Sequence, residues 1–399
     1  MTNDTKNVPE LRFPGFSGEW EIKELGDRVK FYSGLTYTPN DVSKNGTLVL
    51  RSSNIFNNHI INADNVYVNS DKATSTYVEY GDVVVVVRNG SRNLIGKHAV
   101  VKKEETNAVI GAFMTGIRYE FGSFINALLS TQNFQKEIHK NLGATINQIT
   151  TGIFKKMPFS FPKKQEEQKI GEFFSKLDRQ IELEEQKLEK LEEQKRGYMQ
   201  KIFSQELRFK DENGQEYPAW INKKLGDIGK VSMNKRIYKN ETSINGEIPF
   251  YKIGTFGKEA ETFISREKFE EYKNKYPYPE KGDILISASG SIGRTIEYDG
   301  EEAYYQDSNI VWLDHNDEVL NIFLKYIYSV IKWSGIEGTT IKRLYNKDIL
   351  NTKIDLPVIK EQEKIGNFFG KIDDSIEKQS SKIGVLKQRK KGFLQKMFV

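Results

Sequence analysis

Residues 143–203, GATINQITTGIFKKMPFSFPKKQEEQKIGEFFSKLDRQIELEEQKLEKLEEQKRGYMQKIF, align without a gap on residues 338–398, GTTIKRLYNKDILNTKIDLPVIKEQEKIGNFFGKIDDSIEKQSSKIGVLKQRKKGFLQKMF. The offset is a constant 195, and 21 of the 61 aligned positions are identical. The identities include Gly143/Gly338, Pro162/Pro357, the Lys-Ile-Gly of 169–171 and 364–366, Phe173-Phe174/Phe368-Phe369 and Gly197/Gly392. A repeat of whole segments implies two equivalent domains, each followed by one long helix and related by a pseudo-two-fold axis.

The front ends repeat as well. Glu10-Leu-Arg-Phe13 recurs as Glu206-Leu-Arg-Phe209, and Trp20…Leu25-Gly26-Asp27 recurs as Trp220…Leu225-Gly226-Asp227. Gly81-Asp82 before Val83–Val87 recurs as Gly282-Asp283 before Ile284–Ser287. Between these markers the residues mostly differ. A shared frame around divergent interiors suggests one job done on two different targets. The boundaries drawn are 1–162 and 206–357 for the domains, with helices over 163–205 and 358–399.

Each helix carries a heptad seam, with steps alternating four and three. In the first copy the seam is Ile170, Phe174, Leu177, Ile181, Glu184, Leu188, Leu191, Lys195, Tyr198 and Ile202. In the second it is Ile365, Phe369, Ile372, Ile376, Gln379, Ile383, Leu386, Lys390, Phe393 and Met397. From Glu166 to Phe203 a helix runs roughly 57 Å at 1.5 Å per residue. The two could be independent amphipathic helices. If they pack on each other, the two-fold axis makes them antiparallel, and the expectation is an antiparallel coiled coil with a domain at each end. Such a rod spans more than one turn of B-DNA, about 34–36 Å. Glu184 and Lys390 are candidates for an ion pair in the seam.

The chain of 399 residues has 37% hydrophobic and 29% charged residues, ordinary for a soluble protein, and is long enough for two or three cored domains. No apolar run reaches the roughly 18 residues that span a bilayer, and residues 1–9 lack a signal-peptide core. Cysteine is absent, which excludes disulfides and thiolate metal sites. These features point to a cytoplasmic location. The net charge of +5 is carried by residues 360–399, with ten Lys/Arg against five Asp/Glu; the rest of the chain is neutral. If the domains bind nucleic acid, local patches must supply the phosphate contacts.

The domains read as short strands and turns with a few helices, among them Asn126–Leu142 and Asn321–Trp333. The class is α+β with mixed sheets, not a doubly wound parallel fold. Three polar clusters are candidates for DNA contact. After the shared strand come Arg88, Asn89, Ser91, Arg92 and Lys97 in the first domain, and Ser289, Ser291 and Arg294 in the second. Before it come Arg51, Ser52 and Asn54, and Lys252 and Thr255. The repeated Gly-x-Thr-Ile frame carries Thr145, Asn147 and Gln148 in one copy, and Thr340, Lys342 and Arg343 in the other. Arginine reads guanine and Asn or Gln reads adenine through paired hydrogen bonds, and serine suits phosphates. The same patterns also arise from a glycine-rich hairpin and from drift at a surface turn.

Catalytic signatures are missing. Gly90-Ser-Arg-Asn-Leu-Ile-Gly96-Lys97 has five residues between glycines and no Ser/Thr after the lysine, so it is no phosphate-binding loop. The four histidines are far apart, without metal-ligand spacing, so no metal site is expected. There is no Gly-x-Ser-x-Gly elbow and no Asn/Asp-Pro-Pro-Tyr/Phe tetrapeptide of amino-methyltransferases. A binding protein is favoured over an enzyme.

The order domain–helix–domain–helix resembles the specificity subunits of type I restriction–modification systems. So does Pro357-Val-Ile-Lys-Glu361-Gln362-Glu-Lys-Ile365, which is similar to that family's Pro-x-x-x-Glu-Gln-x-x-Ile signature, together with the Trp…Leu-Gly-Asp opening of both halves. The first helix departs from the signature, with Glu166-Glu167 and Gln at 168. The resemblance implies two target-recognition domains, each reading one half of an asymmetric bipartite site on double-stranded DNA. It implies helices that set the spacer and dock two methylation subunits, with S-adenosylmethionine bound there, and restriction subunits that use ATP and Mg. The chain itself is then non-catalytic. The alternatives are a stand-alone two-headed nucleic-acid-binding scaffold and a coiled-coil adaptor without an enzyme partner.

Overall fold

A computed structural model describes residues 7–142, 147–335 and 343–399. The chain forms two compact units, residues 1–186 with 380–399, and residues 187–379. The central helix, Lys164–Phe203, and the distal helix, Ile359–Met397, are therefore each shared between units.

In the first unit an antiparallel sheet has the order Lys30–Ser33, Met114–Arg118, Val83–Val86, His98–Val100. A second sheet, Ala108–Ile110, Thr47–Leu50, Val66–Val68, Val42–Ser43, holds one parallel pair, its first two strands. Glu21–Glu24 pairs with Pro158–Phe161, which leads into the central helix. The second unit repeats the plan. Its antiparallel sheet is Gly229–Ser232, Ile310–His315, Ile284–Ser287, Thr295–Glu297. A smaller sheet again has one parallel pair, Ile248–Tyr251 with Tyr304–Tyr305, and Ile221–Lys224 pairs with Lys353–Leu356.

The shared markers have local causes. Gly81 and Gly282 sit at φ +89° and +97°, a conformation that favours glycine. The carboxylates of Asp82 and Asp283 close these turns by accepting from the amides of Glu79 and Glu280. The strand that follows, Val83–Val86, is buried at every position, which is why it reads as a continuous apolar run instead of an alternating one. The expected helix over Asn126–Leu142 is instead two, Gly122–Leu129 and Gln132–Asn141. Thr131 takes an extended backbone between them, and its Oγ1 accepts from the Phe134 amide as the N-cap of the second. The expected helix over Asn321–Trp333 ends at Ile327.

Each unit packs the first half of one long helix antiparallel against the last part of the other, and the contacts repeat with the sequence. Phe173 meets Phe393 edge-on at 5.1 Å in the first unit, as Phe368 meets Tyr198 in the second at 5.1 Å. Phe174 packs on Phe398, and Phe369 on Phe203. Ile170, Phe174, Leu177, Ile181, Ile365, Phe369, Ile383 and Leu386 are buried. Leu188, Leu191, Ile372 and Ile376 are half-buried. At one seam position in each helix the buried residue is the next one along, Met199 in place of Tyr198 and Leu394 in place of Phe393, while Ile202 and Met397 are buried where the heptad places them.

The expected Glu184–Lys390 pair does not form. Lys390 binds Asp178 at 2.5 Å, and Glu184 takes Lys382 at 2.5 Å. The antiparallel register decides this, since the counterpart Lys195 binds Asp373, likewise at 2.5 Å.

The repeated Glu-Leu-Arg-Phe clamps each helix start. Arg12 grips the buried Glu166 carboxylate with Nε and Nη2, at 2.6 and 2.7 Å, and Arg208 grips Glu361 in the same way at 3.2 and 2.7 Å. Phe13 and Phe209 cover Phe173 and Phe368.

The departure from the Glu-Gln signature also has a partner. Glu167, fully buried, accepts from Arg28 at 2.5 Å and from the Tyr119 hydroxyl at 2.5 Å. Burial pushes its carboxyl up, against the opposing pull of those two donors. At the equivalent place Gln362 donates to the carbonyls of Glu318 and Pro357 and accepts from the Leu320 amide, and Ile228 stands where the first unit has Arg28. Arg28→Ile alone strands a buried carboxylate and is expected to cost about 3 kcal/mol. Arg28→Ile with Glu167→Gln copies the second unit and should restore most of that loss. Urea midpoints of the two variants check it, and a double variant no more stable than Arg28→Ile would refute the exchange.

Candidate nucleic-acid interface

The same bridge closes the loop region of each unit. In the first, the chain leaves the central strand at Val87, and Arg88 pairs antiparallel with Gln148. The Ile149 amide donates to the Val87 carbonyl at 2.9 Å, and the Asn89 amide donates to the Asn147 carbonyl at 3.2 Å. In the second, Ser289 pairs with Arg343, and the Leu344 amide donates to the Ala288 carbonyl at 2.8 Å. With offsets of 201 and 195, Arg88 corresponds to Ser289 and Gln148 to Arg343. One frame thus carries different polar residues.

The cluster before the strand joins this region. Asn89 Nδ2 donates to Ser52 Oγ at 3.0 Å, while its Oδ1 accepts from the Ser91 amide at 3.0 Å. Asn147 Nδ2 donates to the Gly90 carbonyl at 3.0 Å. In the second unit the link runs through Gln306, whose Oε1 accepts from the Ile253 amide at 3.1 Å. Ser289 Oγ donates to Asn309 Oδ1 at 2.8 Å, and Arg343 Nη2 to the Ser308 carbonyl at 3.1 Å. Ser308 itself stands at φ +54°, an uncommon backbone for a non-glycine residue.

Arg88, Ser91 and Arg92 are exposed, and Ser52, Asn89, Asn147 and Gln148 are half-buried. In the second unit Ser291 and Arg294 are exposed, and Lys252, Ser289 and Arg343 are half-buried. Arg92 and Arg294 reach back weakly to the carbonyls of Leu142 and Gly257, at 3.5 and 3.4 Å. Thr145, Thr340 and Lys342 lie outside the described residues.

Four expected contact residues instead hold the loops. Asn54 is fully buried; its Nδ2 donates to the Ala63 carbonyl and Asn65 Oδ1, and its Oδ1 accepts from the Arg51 amide. Thr255 is buried and closes its own turn, accepting from the Lys252 amide and donating to the Lys252 carbonyl. The Lys97 ammonium donates to the Ile55 carbonyl at 2.6 Å, and Arg51 is ion-paired with Asp64 at 2.7 Å. Short polar side chains compete for backbone groups in turns, so sequence alone does not separate these uses.

Two aromatic residues were not singled out in the sequence. Phe113, 54% exposed, lies beneath the Arg88 guanidinium, whose carbon is 5.0 Å from the ring centroid. Tyr345, 57% exposed, lies beneath that of Arg343 at 5.8 Å. The alternation Arg343, buried Leu344, Tyr345 is a period-two signal that points to Tyr345; Phe113 carries no comparable local signal.

His98, just beyond the first loop, is buried between the Gly96 carbonyl and Ser130 Oγ, and burial holds its pKa down at about 4. It is neutral at pH 7 and adds no charge for phosphates. Among the described residues no three or more His, Cys, Asp or Glu side chains gather as a metal site, and no helix is long and apolar enough to cross a membrane.

Comparison with known proteins gives a consistent picture. Residues 17–193 and 218–386 each match the type I restriction modification DNA specificity domain. The Haemophilus influenzae type I restriction specificity-subunit candidate S.HindORF215P is 58% identical over 151 residues, 37% of this chain and 39% of that protein. A match to the type I restriction enzyme StySPI specificity subunit of Salmonella potsdam is 24% identical over 90% of this chain and 84% of the relative. Among solved structures, the S subunit of a type I restriction–modification system from M. genitalium superposes with a TM-score of 0.63 at 19% identity, covering 98% of this chain and 99% of the other. That likeness is one of fold.

Proposed function

The chain belongs to the type I restriction modification DNA specificity family, and from that premise we propose that each unit reads one half of an asymmetric bipartite site on double-stranded DNA. The observation that carries this reading is the shared bridge: Arg88 with Gln148 in one unit and Ser289 with Arg343 in the other. An identical frame presenting different hydrogen-bonding edges suits two unlike half-sites.

The chain supplies recognition, and the chemistry falls to partners. Two methylation subunits that bind S-adenosylmethionine dock on it, and restriction subunits bring ATP and Mg. A methyltransferase acting on a base must flip it from the duplex, so a separate clamp that fixes the position has a clear use. The long helices, each shared between the units, set the spacer.

Mapping methylated adenines across the genome of a host with and without this gene tests the proposal. A two-part motif with unlike halves and a constant spacer should appear only when the gene is present. Identical halves, or an unchanged methylation map, would sink it.

A further inference from the structure

Of the fourteen arginines of this chain, eight pair with a carboxylate and six do not among the described residues. Arg12, Arg28, Arg51, Arg118, Arg179, Arg208, Arg236 and Arg266 are each held by a carboxylate. Arg88, Arg92, Arg196, Arg294, Arg343 and Arg389 have no carboxylate at ion-pairing distance among the described residues; of these, Arg88 and Arg343 lie over exposed rings, whereas the rings under Arg294 and Arg389, Phe256 and Phe393, are buried and half-buried. Arg88 and Arg343 both stand on the bridge that the two units share.

We propose that Arg88 and Arg343 each read one guanine in the major groove from the face of Phe113 and Tyr345, delivered from opposite strands of the same bridge. In the first unit the arginine is on the strand exit and Gln148 faces it; in the second it is on the returning segment and Ser289 faces it. The inference rests on the two-half-site reading and names the side chain that acts in each half.

Three physical reasons favour this role. A guanidinium held over a ring face by cation–π attraction spends none of its N–H donors on the ring, and two of them match guanine O6 and N7. Pairing across a bridge fixes the Cα of the arginine, so the side chain starts from a defined point. The ring limits the conformations the guanidinium must lose on binding, and it is itself exposed enough to leave water for a DNA surface. Arg343 spends one donor on the Ser308 carbonyl, and four of the five guanidinium N–H groups remain. The different strand of origin gives the two units different reach along the groove, which adds to the asymmetry of the site.

The test uses the full chain assembled with its methylation subunits, on duplexes carrying the mapped bipartite site. Guanines are replaced one at a time by 7-deazaguanine, which lacks the N7 acceptor. Wild-type assembly should bind about 10- to 100-fold more weakly when one particular guanine in each half is replaced. Arg88→Ala should abolish that sensitivity in one half only, and Arg343→Ala in the other half only. Arg88→Lys keeps the charge, so it should retain the salt dependence of binding while losing the discrimination. Phe113→Leu should weaken discrimination at the Arg88 guanine and nowhere else.

If Arg88→Ala instead lowers affinity for every duplex alike and flattens the salt dependence, the residue is a phosphate contact and the proposal falls. Unchanged binding overturns it equally. If wild-type assembly shows no preference for a bipartite site, the two-half-site reading itself has failed, whatever the arginines do.

Discussion

Inserting one heptad into both long helices, between Gln186 and Lys187 and between Gln379 and Ser380, is expected to abolish recognition of the native site while leaving both half-site sequences unchanged. The insertion points are where each helix passes from one compact unit to the other. Seven residues preserve the seam periodicity and add about 10 Å per helix at 1.5 Å per residue. At 3.4 Å per base pair, the spacer should lengthen by about three base pairs. Methylome mapping reads both quantities together. A changed half-site with an unchanged spacer would refute the role of the helices as a ruler.

The second large effect is on folding. Phe174→Ala and Phe369→Ala should each cost about 3–5 kcal/mol, because both rings are fully buried where a long helix meets its domain. Phe174 lies against Phe173 and Phe398, and Phe369 against Phe203, Tyr326 and Phe368. Against a total stability of roughly 5–15 kcal/mol, either loss is a large fraction. Leu183→Ala, on the same helix but 48% exposed, should change stability by no more than about 0.5 kcal/mol. Urea unfolding of the three variants decides the matter. Phe174→Ala as mild as Leu183→Ala would show that the helix does not dock as described.

The parts of the fold legible in the sequence are those fixed by local pattern and by duplication. The heptad steps place Ile170, Phe174, Ile365 and Phe369 on a buried face, as the structure has them. The Gly-Asp markers coincide with turns that demand a positive φ. The pairing of individual charges was not legible. Lys390 chooses Asp178 over Glu184 because register depends on the whole set of side chains in the seam, not on which charges are available. Thr131 divides a stretch whose composition reads as one helix, because its side chain caps the second segment.

The candidate interface shows the same division. Arg88, Asn89, Asn147, Gln148, Ser289 and Arg343 sit together on the bridge of their own unit. Asn54 and Thr255, of similar chemistry and similarly close to the strand, are consumed inside their loops. Asn89, Asn147 and Arg343 also bond loop backbone but stay half-buried, whereas Asn54 and Thr255 are buried, and that difference is settled in three dimensions.

By itself, then, the sequence determined a duplicated α+β architecture with two long seamed helices, since periodicity and repetition are properties of one dimension. Only the tertiary structure decided that each helix is divided between two units, that Arg12 and Arg208 clamp the helix starts, and that Phe113 and Tyr345 lie under Arg88 and Arg343. These depend on residues distant in the chain meeting at one place, and burial and register, not composition, select which of them do.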